Sequence, residues 1–450
     1  MVDQVMETSS SSLDVDVVVL GGGISGLTIA LSLARRGRSV VVLEKESAPG
    51  GSIRTLERDG FLFELGPNTV LSGGSHIEEL IDAAGVAGER IEASPNAKTR
   101  AIVHRGRLVP LPSGPFSFLR SPLFSARAKL RLLREPFISR RADDNDESIA
   151  SFVRRRLGTE LLDKAVGPFV SGVYAGDPER LSTEHAVPRI AALERDHGSL
   201  IRGAFARRKG PAPRGRLISF RRGLHTLPRA VASILADAWH PSERATRIRT
   251  SGDGFVIDAS THAGDRVYTS RAVACALPPR AAFELLSPLS NPLGEALDEL
   301  PCADVAVVSL GFRRADVSHP LAGFGFLSPA VEKRFVLGCL FPSSLFEGRA
   351  PEGHVALSTF VGGRLHPDRV TLSDDEIVRE VCADLAPLLD LRGEPVISHV
   401  ARWRPAIPQY EIGHGERKKA AQRGELETPG LFLAGNALHG VSIPDCIRTA

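Results

Sequence analysis

The sequence predicts an α/β multidomain protein whose first unit is a Rossmann-like dinucleotide-binding domain, and three features of residues 15–44 lead to that prediction. Residues 15–20 are a β-branched run typical of a buried strand. They lead into a glycine-rich turn, residues 21–26, after which apolar residues recur at helical spacing as far as Ala34. A second apolar run ends at Glu44, 18 residues after Gly26, close to the spacing at which an acidic side chain meets a ribose hydroxyl.

Each glycine of this turn has a separate physical task in such a fold. Gly21 permits the tight turn, Gly23 lets the backbone approach a pyrophosphate, and Gly26 lets the helix pack on the strand. The pyrophosphate then lies at the helix N-terminus, where unpaired N–H groups favour an anion. Glycine-rich turns also occur for conformational reasons alone, but the complete order of strand, turn, helix and acid favours a nucleotide site.

The residues after Glu44 favour FAD over NAD as that nucleotide. A second glycine pair, Gly50 and Gly51, and then Arg54 follow within ten residues, and residues 64–68 (ELGPN) come next. NAD-binding folds usually continue straight into another βαβ unit. The run is similar to the extended FAD fingerprint of amine oxidases, phytoene desaturases and protoporphyrinogen oxidases, which implies that the glycine pair and the arginine lie along the cofactor phosphates. This similarity indicates a superfamily but no substrate.

Length and composition set further limits. The 450 residues, 42% hydrophobic and 24% charged, are ordinary for a soluble globular enzyme of two or three domains. A net charge of +3 without a basic, aromatic-interleaved motif argues against a nucleic-acid partner. Five widely spaced cysteines without C-x-x-C predict a reduced, cytoplasmic protein without a metal site. The Ser-rich residues 1–13 and the lack of an 18-residue apolar run predict neither a signal peptide nor a membrane span.

Residues 113–141 are rich in both apolar and basic residues, and part of this stretch has helical periodicity. Two sets of residues each share one helical face: Ala126, Leu130, Leu133 and Phe137, and separately Arg127, Arg131 and Arg134. Two interpretations stay open, a helix packed on the core with a solvated outer face and a helix docked on an anionic bilayer surface. A basic Pro/Gly run at residues 205–216 predicts a linker after this region.

Other segments predict a mixed sheet and its connections. Residues 99–103 and 107–109 predict a hairpin with Arg100 at its start, where exposure to solvent is the commoner fate of an arginine. Residues 305–311, 335–340 and 355–360 predict three further strands. Residues 172–177 (GVYAGD) predict the interruption of a helix, and their two glycines indicate either an ordinary turn or backbone brought close to something flat.

The end of the chain returns to the nucleotide-binding domain. Residues 431–436 predict a strand and a turn, and residues 440–447 begin a helix with Pro444 near its first turn. Backbone N–H groups there are suited to an electron-rich flavin edge. The chain stops barely a turn into this helix, so we expect the domain to be truncated there and the flavin edge to be poorly supported.

With these motifs in hand, essentially the whole chain resembles the oxygen-dependent, FAD-containing protoporphyrinogen oxidases. The most specific motifs are GVYAGD, GFGFL at residues 323–327, IPQYEIGH at residues 407–414 and the DCI run that ends at Ile447. The resemblance implies an FAD-binding domain made of residues 14–86, 216–286 and 425–450. It also implies a mixed-sheet substrate domain, residues 87–112 and 287–424, and a mainly helical membrane-binding domain, residues 113–215.

The same resemblance implies a set of site residues. The FAD contacts would be Gly21, Gly22, Gly23, Ile24, Ser25, Gly26, Glu44, Lys45, Gly51, Ser52, Arg54, Leu65, Gly66, Pro67, Asn68, Ala245, Asn436, Val441, Ser442 and Ile443. The substrate contacts would be Arg100, which would bind a propionate, and Gly172, Gly176, Phe324, Leu327 and Phe360. Asn68 is the candidate catalytic residue; it either orients the reacting centre or only hydrogen-bonds FAD.

The implied reaction is the six-electron oxidation of protoporphyrinogen IX to protoporphyrin IX by three hydride transfers to FAD, with dioxygen as acceptor and hydrogen peroxide as product. Such a reaction needs orientation and an apolar slot more than acid–base groups, which agrees with the lack of a catalytic triad motif. Two alternatives remain: oxidation of coproporphyrinogen III to coproporphyrin III, and a non-catalytic relative of the fold.

The residue at position 171 bears on the choice between the two substrates. Some members of the family carry an arginine where this chain has Ser171, so a second cationic contact to the substrate is not expected. This favours protoporphyrinogen, which has two propionates, over coproporphyrinogen, which has four.

The expected partners are the porphyrinogen, dioxygen and an anionic membrane surface. The expected location is the cytoplasm, with peripheral contact on the inner face of the membrane, and both a monomer and a homodimer stay open.

Overall fold

The computed structural model describes residues 12–141, 145–207 and 215–450. The N-terminal tail up to residue 11 and residues 208–214 of the predicted linker lie outside the described residues. The strands are β1 Ser12–Leu20, β2 Val40–Glu44, β3 Thr55–Arg58, β4 Phe61–Glu64, β5 Val70–Leu71, β6 Arg90–Glu92, β7 Arg100–His104, β8 Arg107–Pro110, β9 Leu217–Phe220, β10 Trp239–Pro241, β11 Glu243–Ser251, β12 Gly254–Thr261, β13 Gly264–Cys275, β14 Cys302–Arg313, β15 Gly325–Leu327, β16 Gly338–Leu340, β17 His354–Gly362, β18 Ile397–Pro408 and β19 Leu431–Leu433. The α-helices are α1 Ile24–Arg35, α2 Ser75–Ala83, α3 Pro115–Arg120, α4 Ala126–Leu133, α5 Ile149–Arg156, α6 Thr159–Leu161, α7 Gly167–Tyr174, α8 Thr183–Ala186, α9 Pro188–His197, α10 Leu200–Arg207, α11 Thr226–Leu235, α12 Pro279–Leu286, α13 Asn291–Leu297, α14 Pro342–Leu345, α15 Asp374–Leu389, α16 His414–Glu427 and α17 Ile443–Arg448.

The first sheet has the strand order β10-β2-β1-β13-β12-β11, and β19 also pairs with β13. Strands β10, β2, β1, β13 and β19 are parallel, and β12 and β11 add an antiparallel edge. Helices α1, α2, α11 and α17 pack on one face and α12, α13 and α16 on the other, so β2 is buried along its whole length. The strand, helix and strand predicted for residues 15–44 are confirmed as β1, α1 and β2.

The second sheet has the order β18-β14-β17-β16-β15-β7-β8. The predicted hairpin is β7 and β8, and the three predicted strands are β14, β16 and β17, although β16 is shorter than expected. Helix α15 covers one face of this sheet through its buried Ile377, Val381 and Leu385, and begins with a capping box between Ser373 and Glu376. Helix α15 leaves the opposite face of the sheet uncovered.

Helices α3–α10, which we call the helical segment, lie between β8 and β9 in the chain and contact that opposite face. A buried ion pair holds the segment together, because the fully buried Arg156 donates to Glu135 over 2.9 Å. Glu135 also accepts hydrogen bonds from the Ser199 hydroxyl, 2.6 Å, and the Leu200 amide, 2.9 Å, at the start of α10. Removing one partner of such a network leaves a buried charge uncompensated, which is strongly destabilising.

Two local predictions are wrong. The helix predicted to be interrupted at residue 172 continues as α7 through Gly172 to Tyr174 and ends at Ala175, which has a left-handed φ of 49°. A glycine inside a helix costs only about 1 kcal/mol, so it need not end one. The predicted weak support of the last helix is also wrong, because tertiary packing holds α17: Ile443 and Ile447 are buried in the core of the first sheet.

Candidate cofactor and substrate site

The turn between β1 and α1 is shaped by its glycines. Gly21 has a φ of 100°, and its amide donates to the Leu43 carbonyl over 2.9 Å. A Cβ atom added to Gly26 would lie 2.0 Å from the Gly21 carbonyl oxygen, so the helix packs directly against the turn. A Cβ added to Gly23 would meet nothing within 4 Å. The space in front of Gly23, at the N-terminus of α1, is therefore open.

The Glu44 carboxylate closes one side of this space. It is only 9% exposed, and its two oxygens accept hydrogen bonds from the amides of Gly22, 2.7 Å, and Glu46, 2.9 Å. A carboxylate has about four acceptor positions, so acceptor capacity remains for hydroxyl groups of a ribose. The Trp239 ring lies 2.3 Å from where a Gly22 Cβ would be, a packing constraint that the sequence motif does not reveal. The Lys45 side chain is exposed, and its Nζ lies 3.7 Å from Glu46.

The second glycine pair folds back onto the first turn. Gly50 bridges to Gly23, and a Cβ at Gly51 would lie 3.4 Å from the Gly23 Cα. The Arg54 side chain braces this loop, since its Nε donates to the Gly51 carbonyl over 3.0 Å and its Nη2 to the Ala48 carbonyl over 3.1 Å. These contacts place Arg54 at the loop that borders the open space.

The loop at residues 65–68 packs on the same region. A Cβ at Gly66 would lie 2.1 Å from the Ser52 carbonyl oxygen, which brings the two loops into contact. The Leu65 carbonyl accepts a 2.6 Å hydrogen bond from the Trp403 indole on β18, so this loop also joins the two sheets. The Asn68 amide donates to the Gly66 carbonyl over 3.0 Å, which occupies that donor within the loop.

Residues 440–448, the C-terminal run, contact the turn between β1 and α1 from the other side. Ser442 caps α17, because its hydroxyl accepts a 3.2 Å hydrogen bond from the Asp445 amide and donates to the Asp445 carboxylate. The Ser25 hydroxyl of α1 donates to the Cys446 carbonyl over 3.2 Å, and Val441 packs against the same cluster of the helical segment as Tyr174. The run therefore lies between the dinucleotide turn and α7.

These observations fit a bound FAD. The open space at Gly23 suits a pyrophosphate at a helix N-terminus, and the buried carboxylate of Glu44 suits a ribose. Ala245 lies at a β-bulge of β11, beside β2, and the amide of nearby Ser242 donates to the Glu46 carbonyl over 3.1 Å. The glycine turns, the Glu44 carboxylate and the start of β11 thus border the same region, which we call the cofactor cradle.

The second sheet brings the predicted substrate residues together. In its register Arg100 pairs with Gly325, and Leu327, Gly338 and Phe360 are successive partners on β15, β16 and β17. Since register partners project to the same face of a sheet, and residues two apart on a strand do as well, Arg100, Leu327 and Phe360 share one face. Gly338, which sequence reasoning missed, has no side chain to fill the space between Leu327 and Phe360.

Helix α7 forms the opposite wall. A Cβ at Gly172 would lie 2.3 Å from the Leu327 Cδ2, and a Cβ at Gly176 would lie 2.7 Å from the Gln409 Oε1. The guanidinium carbon of Arg100 lies 4.8 Å from the ring centre of Phe324, a cation–π distance. This face of the second sheet, which we call the substrate face, consequently combines one cation with apolar side chains. It lies opposite α7, a helix that contains glycine.

Buried titratable groups border the cradle. Burial raises the pKa of Glu64 to about 7, although its carboxylate accepts hydrogen bonds from the Thr55 hydroxyl, 2.7 Å, and the Leu224 amide, 2.8 Å. Burial also lowers the pKa of His225, whose Nε2 contacts the Pro49 carbonyl at 2.8 Å. Both groups lie behind the loops that would touch the cofactor and not on the substrate face.

The fold and the site together define an FAD-dependent oxidoreductase. The sequence profile described as flavin containing amine oxidoreductase matches residues 24–450. The chloroplastic protoporphyrinogen oxidase of Oryza sativa subsp. japonica is 34% identical over 97% of this chain and 86% of its own length. The chain thus belongs to the flavin-containing amine oxidoreductase family and, within it, to the family of the protoporphyrinogen oxidases.

Other known proteins are similar over nearly the whole chain. The coproporphyrinogen III oxidase of Bacillus subtilis (strain 168) is 27% identical over 96% of this chain and 95% of its own length. A solved structure from Exiguobacterium sp. 255-15, provisionally assigned as a protoporphyrinogen oxidase, superposes with a TM-score of 0.84 at 25% identity, covering 98% of this chain and 97% of that one. A putrescine oxidase structure has a TM-score of 0.73 at 17% identity, which supports the fold alone. These similarities favour an enzyme over a non-catalytic relative.

Within residues 12–141, 145–207 and 215–450, no helix has both the length and the apolar character that a bilayer crossing requires.

Proposed function

We propose that the protein oxidises a porphyrinogen to the corresponding porphyrin in three hydride transfers to FAD, with dioxygen as the final electron acceptor. The observation that carries the proposal is the face of the second sheet on which Arg100, Leu327 and Phe360 lie opposite α7. The names of the curated relatives support the same chemistry. The bound flavin supplies the hydride acceptor, and this chain supplies binding and orientation.

Each side chain of the face has a role in this proposal. Arg100 binds a propionate through charge-assisted hydrogen bonds, and Phe324 holds the guanidinium in place from its ring face. Leu327 and Phe360 contact the apolar macrocycle, and Gly172 lets α7 pack closely on the Leu327 side chain and so holds it in place. Orientation is the main contribution, because the pyrrole nitrogens themselves donate electron density as hydride leaves. Asn68 supports the loop beside the flavin and is the group available to orient the reacting centre.

We propose that FAD occupies the cradle with its ribose at Glu44 and its pyrophosphate at residues 21–26, and with residues 436 and 441–443 at the flavin end. The division into FAD-binding, substrate and helical domains predicted from the sequence is part of this proposal. Two sheets with separate hydrophobic cores, and helices α3–α10 with a core of their own, support it.

Of the two candidate substrates, the site favours protoporphyrinogen. Coproporphyrinogen has four propionates and protoporphyrinogen has two, and desolvating an unpaired carboxylate is costly. The substrate-facing residues named above include one cation, Arg100. Ser171, at the position where an arginine would add a second, is buried and donates its hydroxyl to the Pro168 carbonyl over 3.3 Å.

Purified protein and both porphyrinogens test the proposal. Anaerobic addition of substrate should bleach the flavin absorbance, and admission of air should restore it and release one hydrogen peroxide per hydride transferred. The ratio of kcat/KM values should favour protoporphyrinogen. An unchanged flavin spectrum with either compound would refute the oxidase proposal, and a preference for coproporphyrinogen would refute only the choice of substrate.

We also propose peripheral docking of the helical segment on an anionic membrane. Three of the apolar residues predicted to share a helical face point outward: Leu130 is 51% exposed, Leu133 62% and Phe137, just after α4, 82%. Phe116 of α3 is also 78% exposed. Arg127 and Arg134 are exposed beside them. An outward face with both apolar and basic side chains is typical of helices that lie at a bilayer interface, and it favours docking over the alternative of a solvated polar face.

A further inference from the structure

The motif IPQYEIGH has no role in the mechanism above, yet its residues contact two walls of the proposed site. We call the end of α7, residues 172–176, the substrate wall and the turn at residues 436–440 the flavin wall. Gln409, Tyr410 and His414 are 1%, 5% and 3% exposed, respectively. They follow β18, and we call residues 409–414 the wall connector. Most polar atoms of buried side chains have a hydrogen-bond partner, so the hydrogen bonds that these three residues make have structural meaning.

Gln409 contacts the substrate wall. Its Nε2 donates to the Tyr174 carbonyl over 2.9 Å, and this carbonyl belongs to the last turn of α7, which has no helical partner. Its Oε1 has no hydrogen-bond partner among the described residues and occupies the space where a Gly176 side chain would be. The Gln409 amide therefore caps α7, and Gln409 together with Leu181, whose Cδ1 would lie 2.6 Å from an added Cβ, requires a glycine at position 176.

A second contact fixes the same end of α7. Ala175 has a left-handed backbone, which for a residue with a side chain persists only where the surroundings hold it. Its carbonyl accepts a 2.8 Å hydrogen bond from the Arg364 amide, and the Arg364 guanidinium pairs with Glu411 of the wall connector over 3.1 Å. The connector thus holds both residues that end the helix.

Tyr410 contacts the flavin wall. Its hydroxyl donates to the Asn436 carbonyl over 2.6 Å and accepts from the Gly440 amide over 2.7 Å, so it closes the turn between these residues. His414 stacks on the Tyr410 ring at a centroid distance of 4.1 Å, and its Nε2 lies 3.2 Å from the Leu438 carbonyl of the same turn. With the hydroxyl removed, a partly buried carbonyl and a partly buried amide would both lose their partner.

We infer that Gln409 and Tyr410 are positioning residues that set the distance between the two walls, Gln409 by fixing the end of α7 and Tyr410 by fixing the turn at residues 436–440. Because the two are consecutive in the chain, a displacement of one wall is transmitted to the other. This inference rests on the proposed function for the identity of the two walls, but its contacts are independent of the substrate.

Two variants of the full-length holoprotein separate the two halves of the inference. Tyr410→Phe should weaken FAD binding about 5- to 100-fold and shift the flavin midpoint potential, and its effect on KM for the porphyrinogen should be smaller than its effect on FAD binding. Gln409→Met, which keeps the length but removes the donor, should raise KM about 5- to 100-fold, with a smaller effect on FAD affinity. Hydrogen exchange at residues 174–176 should quicken in Gln409→Met.

Tyr268→Phe is the matched control, since Tyr268 is also buried and its hydroxyl bonds to the Glu243 carboxylate within the first sheet. It should lower the melting temperature without changing the flavin potential or KM. A Tyr410→Phe protein that, like the control, loses only thermal stability would overturn the flavin half. Unchanged KM and unchanged exchange in Gln409→Met would overturn the substrate half.

The coupling is also measurable in wild-type protein, which keeps the inference testable where a variant does not fold. Reloading the apoprotein with FAD should slow hydrogen exchange at residues 174–176 as well as at residues 436–443. Protection confined to residues 436–443 would contradict transmission through the wall connector. If wild type oxidises neither porphyrinogen, the proposed function fails, whereas the FAD affinity and exchange measurements still decide the inference.

Discussion

The cofactor cradle and the substrate face are encoded in the chain in different ways. The core of the cradle, from the turn at Gly21 to the carboxylate of Glu44, comes from one stretch of 24 residues whose elements are neighbours in the fold. The substrate face is assembled from β7, β15, β17 and α7, which lie far apart in the sequence. A local site can be derived from residue spacing, whereas a composite site depends on strand order and register.

The two regions also differ in the groups that they offer. The cradle presents backbone N–H groups and open space above glycines, so its function is set by where side chains are missing. The substrate face presents one cation and apolar side chains. Substitutions should therefore act in different ways: an added methyl group should damage the cradle, and a removed side chain should damage the substrate face.

The largest expected effect is that of Gly26→Ala. Its Cβ would lie 2.0 Å from a backbone oxygen, so α1 must move away from the turn. We expect loss of FAD binding together with a fall in stability of about 1 to 3 kcal/mol, the usual range for overpacking. Gly88→Ala is the control, because nothing lies within 4 Å of its added Cβ. Flavin content and urea denaturation measure both effects, and a yellow, fully stable Gly26→Ala protein would contradict this account.

Arg100→Ala tests the substrate face. Loss of charge-assisted hydrogen bonds to one propionate should lower kcat/KM about 10- to 100-fold, mainly through KM, while flavin content stays at the wild-type level. The kcat/KM of Arg100→Lys should lie between those of wild type and Arg100→Ala, because an ammonium group keeps the positive charge but lacks the planar, two-pronged donor geometry of a guanidinium. Arg107→Ala, an exposed arginine on the adjacent strand β8, is the control. Equal kinetics for the Arg100→Ala and Arg107→Ala proteins would remove Arg100 from the site.

Glu64 lies directly before the loop at residues 65–68, where the cradle and the substrate face meet. Its buried carboxyl group should make the free energy of unfolding depend on pH. Its folded-state pKa of about 7 lies above the ordinary 4.5, so the unfolded chain loses the proton first as pH rises. The contribution is thus complete below about pH 4.5 and is lost towards pH 7, by about 3 kcal/mol in total. Glu64→Gln should remove this part of the pH dependence.

Urea denaturation of wild type and Glu64→Gln between pH 5 and pH 8 measures the effect. Glu57→Gln, which changes an exposed carboxylate on the neighbouring strand β3, should retain the wild-type pH dependence. If wild type and Glu64→Gln lose stability in parallel as pH rises, the burial of the Glu64 carboxyl does not govern the effect.

The cofactor cradle and the substrate face also differ in how much of each could be predicted from the sequence. The spacing of residues 15–44 predicted β1, α1 and β2, since a Rossmann turn is specified by residues that are close in the chain. Trp239 against Gly22 and Gly338 between Leu327 and Phe360 were not predictable, because both depend on pairing between distant strands. Arg100 looked like an ordinary exposed charge from its strand alone, and only a family resemblance singled it out. The support of α17 was missed because packing, not helix length, provides it.

The outward face of α3 and α4 should give the smallest effect on catalysis, because none of its residues belongs to the proposed FAD or substrate site. Reversing Arg127 and Arg134 to Glu should weaken binding to anionic vesicles and leave flavin content and turnover of dissolved substrate unchanged. The attraction should also weaken as salt rises, because surface charges are screened over about 8 Å at physiological ionic strength. Arg131 is left in place in this variant, because its guanidinium donates to the Arg155 carbonyl over 2.7 Å and so supports the fold.

Reversal of Arg379 and Arg392, two exposed arginines outside the helical segment, makes the same change in net charge and is the matched control. If both double variants lose vesicle binding equally, net charge and not the docking face governs the interaction. Leu133→Ser with Phe137→Ser then tests the apolar part, because each buried apolar side chain adds to membrane affinity independently of lipid charge. Binding that this variant retains at low salt and loses at high salt would exclude insertion of these side chains and leave a purely electrostatic contact.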